Sequence, residues 1–147
     1  MSGMILFIIA NASMFAYFLT LENVPQMLTD FVVNMHLSKV MFLIAVNIIL
    51  LIAGNFMEPS SIIMIMVPLL LPIAKMLGID PIHFGVIITI NMELGMLTPP
   101  VGLNLFVASG ITGESIKEVV KSVMLWFLVL LFGLILITYI SQNTMVK

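Results

Sequence analysis

A chain of 147 residues that is 62% hydrophobic and only 8% charged is too apolar for a soluble domain, where about a quarter of residues are charged. The formal net charge of -2 argues against a nucleic-acid partner, and all the basic residues are Lys. With no Cys there is neither a disulfide framework nor thiolate chemistry; the 14 Met read as adaptable packing, since no His or Cys joins them in a copper-type cluster.

The apolar opening lacks a basic leader before Ile5–Ala10 and runs on to Leu21. It reads as a transmembrane helix over 4–21, not a signal peptide. Asn11 and Ser13 within it suit helix–helix contact. With no soluble lead-in, the chain reads as a fragment or one section of a larger permease.

Residues 24–36 predict a short interfacial helix. Pro25 suits a first helical turn, and Met27, Leu28, Phe31 and Val32 share one face. His36 follows as a surface residue.

Residues 39–77 hold two apolar arms, Val40–Ala53 and Ile62–Ala74, around Gly54–Ser61. Lys39 and Lys75 bracket them and belong on one side of the membrane. Each arm is about 14 residues, or about 20 Å, against a hydrocarbon core of about 30 Å. The lengths favour a re-entrant helical hairpin with its tip at 54–61. Ser60 and Ser61 are candidate caps of the second arm, with Glu58 as another cap of the turn. Pro68 and Pro72 share a face and each frees a carbonyl one turn back.

Gly78 closes the preceding helix, Asp80 caps the next and Pro81 opens it. His83 is expected at the water interface. Over 81–111 the pattern is a discontinuous transmembrane helix, broken at 95–102 by Leu97-Thr98-Pro99-Pro100-Val101-Gly102. A polar interfacial segment follows at 113–122, carrying Glu114, Lys117, Glu118 and Lys121. The last transmembrane helix is 123–141, with Trp126 and Tyr139 as interfacial anchors. Five lysines are too few to orient the chain in the membrane.

Lipid tolerates unpaired backbone only where protein or a watery cavity covers it. Two breaks in one short apolar chain therefore point to a transport site at mid-membrane depth. Helix C-terminal ends expose carbonyls that hold Na⁺, and N-terminal ends expose N–H groups that hold a carboxylate. Candidate Na⁺ ligands are backbone carbonyls of Gly54, Asn55, Met57 and Gly95, with Thr98. Asn55 and Asn91 either complete the ion's shell or brace the breaks. Ser60, Ser61, Pro100 and Gly102 are candidates to face substrate. Glu58 and Glu93 are acids within apolar arms, suited to coupling or to structural support. No Walker loop, His-Glu-x-x-His or nucleophile elbow is present, and Na⁺ as coupling ion is the only cofactor expected.

Gly54–Glu58, Pro68–Ile73, Gly78–Val86 and Asn91–Leu103, in this order and spacing, resemble the large membrane subunit (DctM-like) of the tripartite ATP-independent periplasmic (TRAP) transporters. The likeness is to the C-terminal part, the second of two inverted repeats of an ion-transporter-like, elevator-type plan. The resemblance implies an all-α integral membrane protein of the bacterial inner membrane, multi-pass. It also implies one Na⁺ site and one wall of a substrate site. The implied activity is Na⁺-coupled import of a small organic acid, a C4-dicarboxylate or a sialic acid. Implied partners are a periplasmic substrate-binding protein, a small membrane subunit and the N-terminal half of the large subunit. The hairpin base would face the periplasm. Alternatives are a noncatalytic membrane fragment or assembly subunit, and an ion-channel wall.

Overall fold

The computed structural model describes residues 2–99 and 102–140. Their elements are seven helices: α1 (Ser2–Leu21), α2 (Val24–Asn34), α3 (Lys39–Phe56), α4 (Pro59–Met76), α5 (Pro81–Met96), α6 (Leu103–Thr112) and α7 (Ile116–Ile140). Three of them are long and apolar enough to cross a membrane: α3, α4 and α7 over Ile116–Tyr139. The described residues form a membrane-embedded helical bundle in which these three helices have the length and apolarity to span.

Local chemistry sets the helix ends. The Ser38 hydroxyl accepts from the Met41 N–H and opens α3. Gly78, at φ 71°, ends α4, and the Ile79 N–H reaches back to the Ala74 carbonyl at 2.9 Å. That is the six-to-one bond of a glycine-closed helix, with Ile79 buried against the core. The Lys39 ammonium donates to the Gly78 carbonyl at 3.0 Å, tying the base of α3 to the end of α4. Asp80 then caps α5, its Oδ1 accepting from the Ile82 and His83 N–H groups.

α5 is the central helix. Its buried residues run His83/Phe84, Ile87/Ile88, Asn91/Met92 and Leu94/Gly95, a broad stripe at helical spacing. The stripe takes α3 on one side, α4 on another and α7 on a third. α3 and α5 run parallel: Phe42 stacks on Phe84 with centroids 6.2 Å apart, Asn47 meets Asn91, and Gly54 meets Gly95. α7 runs antiparallel to α5. Ile137 lies at His83, while Val123, Met124 and Phe127 share a small cavity with Leu97 and Pro99. The outer face of α7, including Leu125, Trp126, Val129 and Phe132, is exposed in the bundle, as a lipid-facing surface requires.

Three sequence expectations change. Helix α3 runs through to Phe56 and α4 starts at Pro59, so the turn is only Met57–Glu58 and each arm has 18 residues. At about 1.5 Å per residue each arm is about 27 Å long, so arm length no longer argues for re-entrance. Residues 116–122 are the first two turns of α7 rather than a separate interfacial segment. Ser115 Oγ accepts from the Glu118 N–H, and Glu118 pairs with Lys121 at 2.8 Å, so the polar stretch starts a long helix. His83 is buried rather than at the water surface: its ring Nε2 lies 3.0 Å from the Ile137 carbonyl. A carbonyl can only accept, so the imidazole Nε2–H is the donor, and it ties the start of α5 to α7.

Candidate functional site

The parallel run of α3 and α5 brings their C-terminal ends side by side. Gly54 and Gly95 make this possible. A Cβ on Gly95 would lie 2.6 Å from the Gly54 Cα and 2.8 Å from its carbonyl carbon. Only two glycines let the backbones come so close. Beyond this crossing both helices stop. The last intrahelical bond of α3 is Met57 N–H to the Ala53 carbonyl, which leaves the following carbonyls without helical donors. On α5 the Thr98 N–H bonds the Gly95 carbonyl at 3.1 Å and the Thr98 hydroxyl donates to the Leu94 carbonyl at 2.7 Å.

Gly102 closes the break. It is buried, holds φ 45° and caps α6. A Cβ there would meet the Thr98 oxygen at 2.9 Å and the Met96 oxygen at 3.1 Å. Two carbonyls therefore converge on a spot that only glycine leaves open. Pro100, expected to face substrate, lies outside the described residues, as does Val101.

Two helix C-termini together carry partial negative charge, roughly half an elementary charge each. Near them, Asn55 Oδ1 is buried and receives no hydrogen bond from the described residues. The donor set is hard, neutral oxygen, which suits Na⁺. Asn91 belongs to the same packed unit: its backbone oxygen lies 3.7 Å from where a Gly54 Cβ would be. Its side-chain Nδ2 donates to Asn47 Oδ1 at 2.6 Å and to the Ile87 carbonyl at 2.8 Å. Asn91 thus braces α5 against α3, and its own Oδ1 is buried with no donor among the described residues.

The acids divide from this group. Glu93 is exposed and lies two residues from both Asn91 and Gly95, on the opposite side of α5. Glu58 is the N-cap of α4: its carboxylate accepts from the Ser60 hydroxyl at 2.6 Å and the Ser61 N–H at 3.2 Å. Ser60 and Ser61 serve that cap instead of capping α4 themselves. Met57 is an exposed, extended residue at the turn. The structure therefore joins Gly54, Asn55, Asn91, Gly95 and Thr98 around two helix ends, and keeps Glu58, Ser60 and Ser61 as a separate cluster at the start of α4.

Sequence reasoning missed Asn47 and Thr138. Asn47 Nδ2 lies 3.4 Å from the fully buried Thr138 Oγ1 of α7. A polar amide in the middle of the apolar first arm was the available signal.

The family described as tripartite ATP-independent periplasmic transporter, DctM component, matches residues 1–143. The chain belongs to this family. A C4-dicarboxylate TRAP transporter large permease of Pseudomonas aeruginosa is 55% identical over 137 residues, covering 93% of this chain and 32% of the relative. The protein of that description from Rhodobacter capsulatus is 56% identical over 140 residues, covering 95% and 32%. A sialic acid TRAP transporter large permease of Vibrio cholerae is 30% identical over 144 residues, covering 98% and 34%. The DctM-family chain thus spans about a third of the length of these relatives. DctM membership and the three long apolar helices make it a multi-pass protein of the bacterial inner membrane.

Proposed function

We propose that this DctM-family chain is the C-terminal part of a Na⁺-coupled permease that imports a C4-dicarboxylate. The carrying observation is the pair of parallel helix C-termini locked at Gly54 and Gly95, with the unpartnered Asn55 oxygen beside them. Such an end presents acceptors and negative potential to a cation with no carboxylate at the site. Na⁺ takes the carbonyls of Gly54, Asn55, Met57 and Gly95 and the oxygens of Thr98. The substrate carboxylate takes the N–H end of α6 at Gly102, with Pro100, Ser60 and Ser61 as its further candidate contacts. Na⁺ neutralises the acceptor-rich ends, and the anion then enters a site that would otherwise repel it.

In this reading α3 and α4 are a re-entrant hairpin, and α5 with α6 is one discontinuous crossing. Its support is that both α5 and α6 pack along α7, itself long enough to span. The hairpin turn is level with the α5–α6 break because Gly54 touches Gly95. Dicarboxylate is favoured over sialic acid because relatives of the first description share 51–56% identity and that of the second 30%. A first repeat, a small membrane subunit and a periplasmic binding protein complete the machine. Glu58 and Glu93 are structural supports.

The test is uptake of succinate into proteoliposomes holding the complete transport system, with Na⁺ or K⁺ outside. Saturable, Na⁺-activated uptake is expected, with sialic acid failing to compete. Equal uptake in K⁺ would remove the cation site, and a continuous uncoupled current would favour a channel wall.

A further inference from the structure

Three side chains from three helices, two amides and a hydroxyl, form a one-way hydrogen-bond chain inside the bundle. Asn91 Nδ2 donates to the Ile87 carbonyl, which can only accept, and to Asn47 Oδ1. The direction of the Asn91 amide is therefore fixed, and Asn91 Oδ1 is the atom left over. Because Asn47 Oδ1 is used, Asn47 turns its Nδ2 to Thr138 Oγ1 on α7. Each amide dictates the orientation of the next. Asn91 and Thr138 are fully buried, and the chain ends in a buried oxygen with no donor among the described residues.

We propose that Asn47 and Thr138 are positioning residues for cation binding: they hold the Asn91 amide in the α3–α5 seam, one turn before Gly95, with its buried oxygen unpartnered among the described residues, and so make α7 part of the cation's support. Asn91 is one turn before Gly95 on the same face of α5, and its backbone oxygen abuts Gly54. An amide that donates twice carries more negative charge on its own oxygen, so the chain strengthens the acceptor that it leaves over. An unpaired amide oxygen in a dry interior is costly, and a cation at the neighbouring helix ends relieves it. Hydrogen-bonded supports of this kind tune metal affinity without touching the metal. The proposal rests on the reading that Na⁺ binds at the ends of α3 and α5.

The test uses the complete transport system with Thr138→Val, Thr138→Ser and Asn47→Leu. Two quantities are read: the Na⁺ concentration for half-maximal succinate uptake, and the Na⁺-dependent rise in Tm of the purified permease, with K⁺ as control. Thr138→Val and Asn47→Leu are expected to raise half-activating Na⁺ about tenfold. They are expected to shrink the Na⁺-dependent Tm rise and to leave the succinate KM at saturating Na⁺ unchanged. Thr138→Ser, which keeps the hydroxyl, is expected to behave as wild type. If Asn47→Leu does not reach the membrane, the Val and Ser pair at 138 decides. Unchanged half-activating Na⁺ in Thr138→Val, or a Ser variant no better than Val, overturns the relay while leaving the cation reading intact. A wild type indifferent to Na⁺ overturns both.

Discussion

Gly54 and Gly95 touch backbone to backbone, and this contact makes the ends of α3 and α5 a single feature. A methyl group at 95 would overlap the Gly54 main chain, whereas one at 54 would meet the Gly95 Cα at 3.1 Å. The crossing is therefore less tolerant on the α5 side.

Gly95→Ala is expected to force the two helices apart and lower stability by about 1–3 kcal/mol. Half-activating Na⁺ should rise with it. Gly85→Ala is the control, since a Cβ there meets nothing within 4 Å. Alanine in that helix interior should be neutral or stabilising by up to about 1 kcal/mol. Thermal melts of the purified permease compare the two; equal melting temperatures would deny the crossing its role.

Gly102→Ala carries two penalties, a strained φ of 45° and a Cβ 2.9 Å from the Thr98 oxygen. The backbone strain alone is about 1–3 kcal/mol. Membrane insertion should survive, because α6 itself is unchanged. Uptake is expected to fall at least tenfold at equal protein level, measured by succinate transport against an immunoblot.

Thr98→Ala removes a hydroxyl whose proton already goes to the Leu94 carbonyl, leaving its oxygen free to accept. Na⁺ activation is expected to weaken by about tenfold, with insertion unaffected. Thr98→Ser should retain activity. Unchanged activation in Thr98→Ala at matched expression would remove Thr98 from the site.

Glu58→Ala should free the first turn of α4, because the Ser61 N–H and the Ser60 hydroxyl lose their acceptor. Loss of such a cap is worth about 0.5–2 kcal/mol. Amide exchange at residues 60–62 should quicken. The Na⁺ dependence of uptake is expected to stay within twofold; a larger shift would give Glu58 a part in coupling.

His83→Leu should lower the melting temperature of the permease. The Ile137 carbonyl would then face an apolar group in place of the imidazole donor. A hydrogen bond of this kind is worth about 0.5–1.5 kcal/mol net. His83→Gln, which keeps an N–H in reach, should recover part of the loss.

Composition alone decided that this chain lives in lipid. The proline and glycine punctuation decided where its helices stop: Asp80-Pro81 opens α5 and Gly78 closes α4 as read, because caps and breakers act within one turn of backbone. Pairing across the bundle was beyond it. Nothing local says that Gly54 meets Gly95, that Asn47 turns to Asn91 and Thr138, or that His83 points inward to Ile137 instead of outward to water. Residues 44 and 91 positions apart become neighbours only when α3, α5 and α7 pack. The hairpin arms illustrate the limit: residues 54–61 read as the hairpin tip, yet helix runs to Phe56 and resumes at Pro59, where the Glu58 carboxylate caps α4 by accepting from the Ser61 N–H. Sequence names the groups that need partners; which partner each one finds is a property of the packed helices.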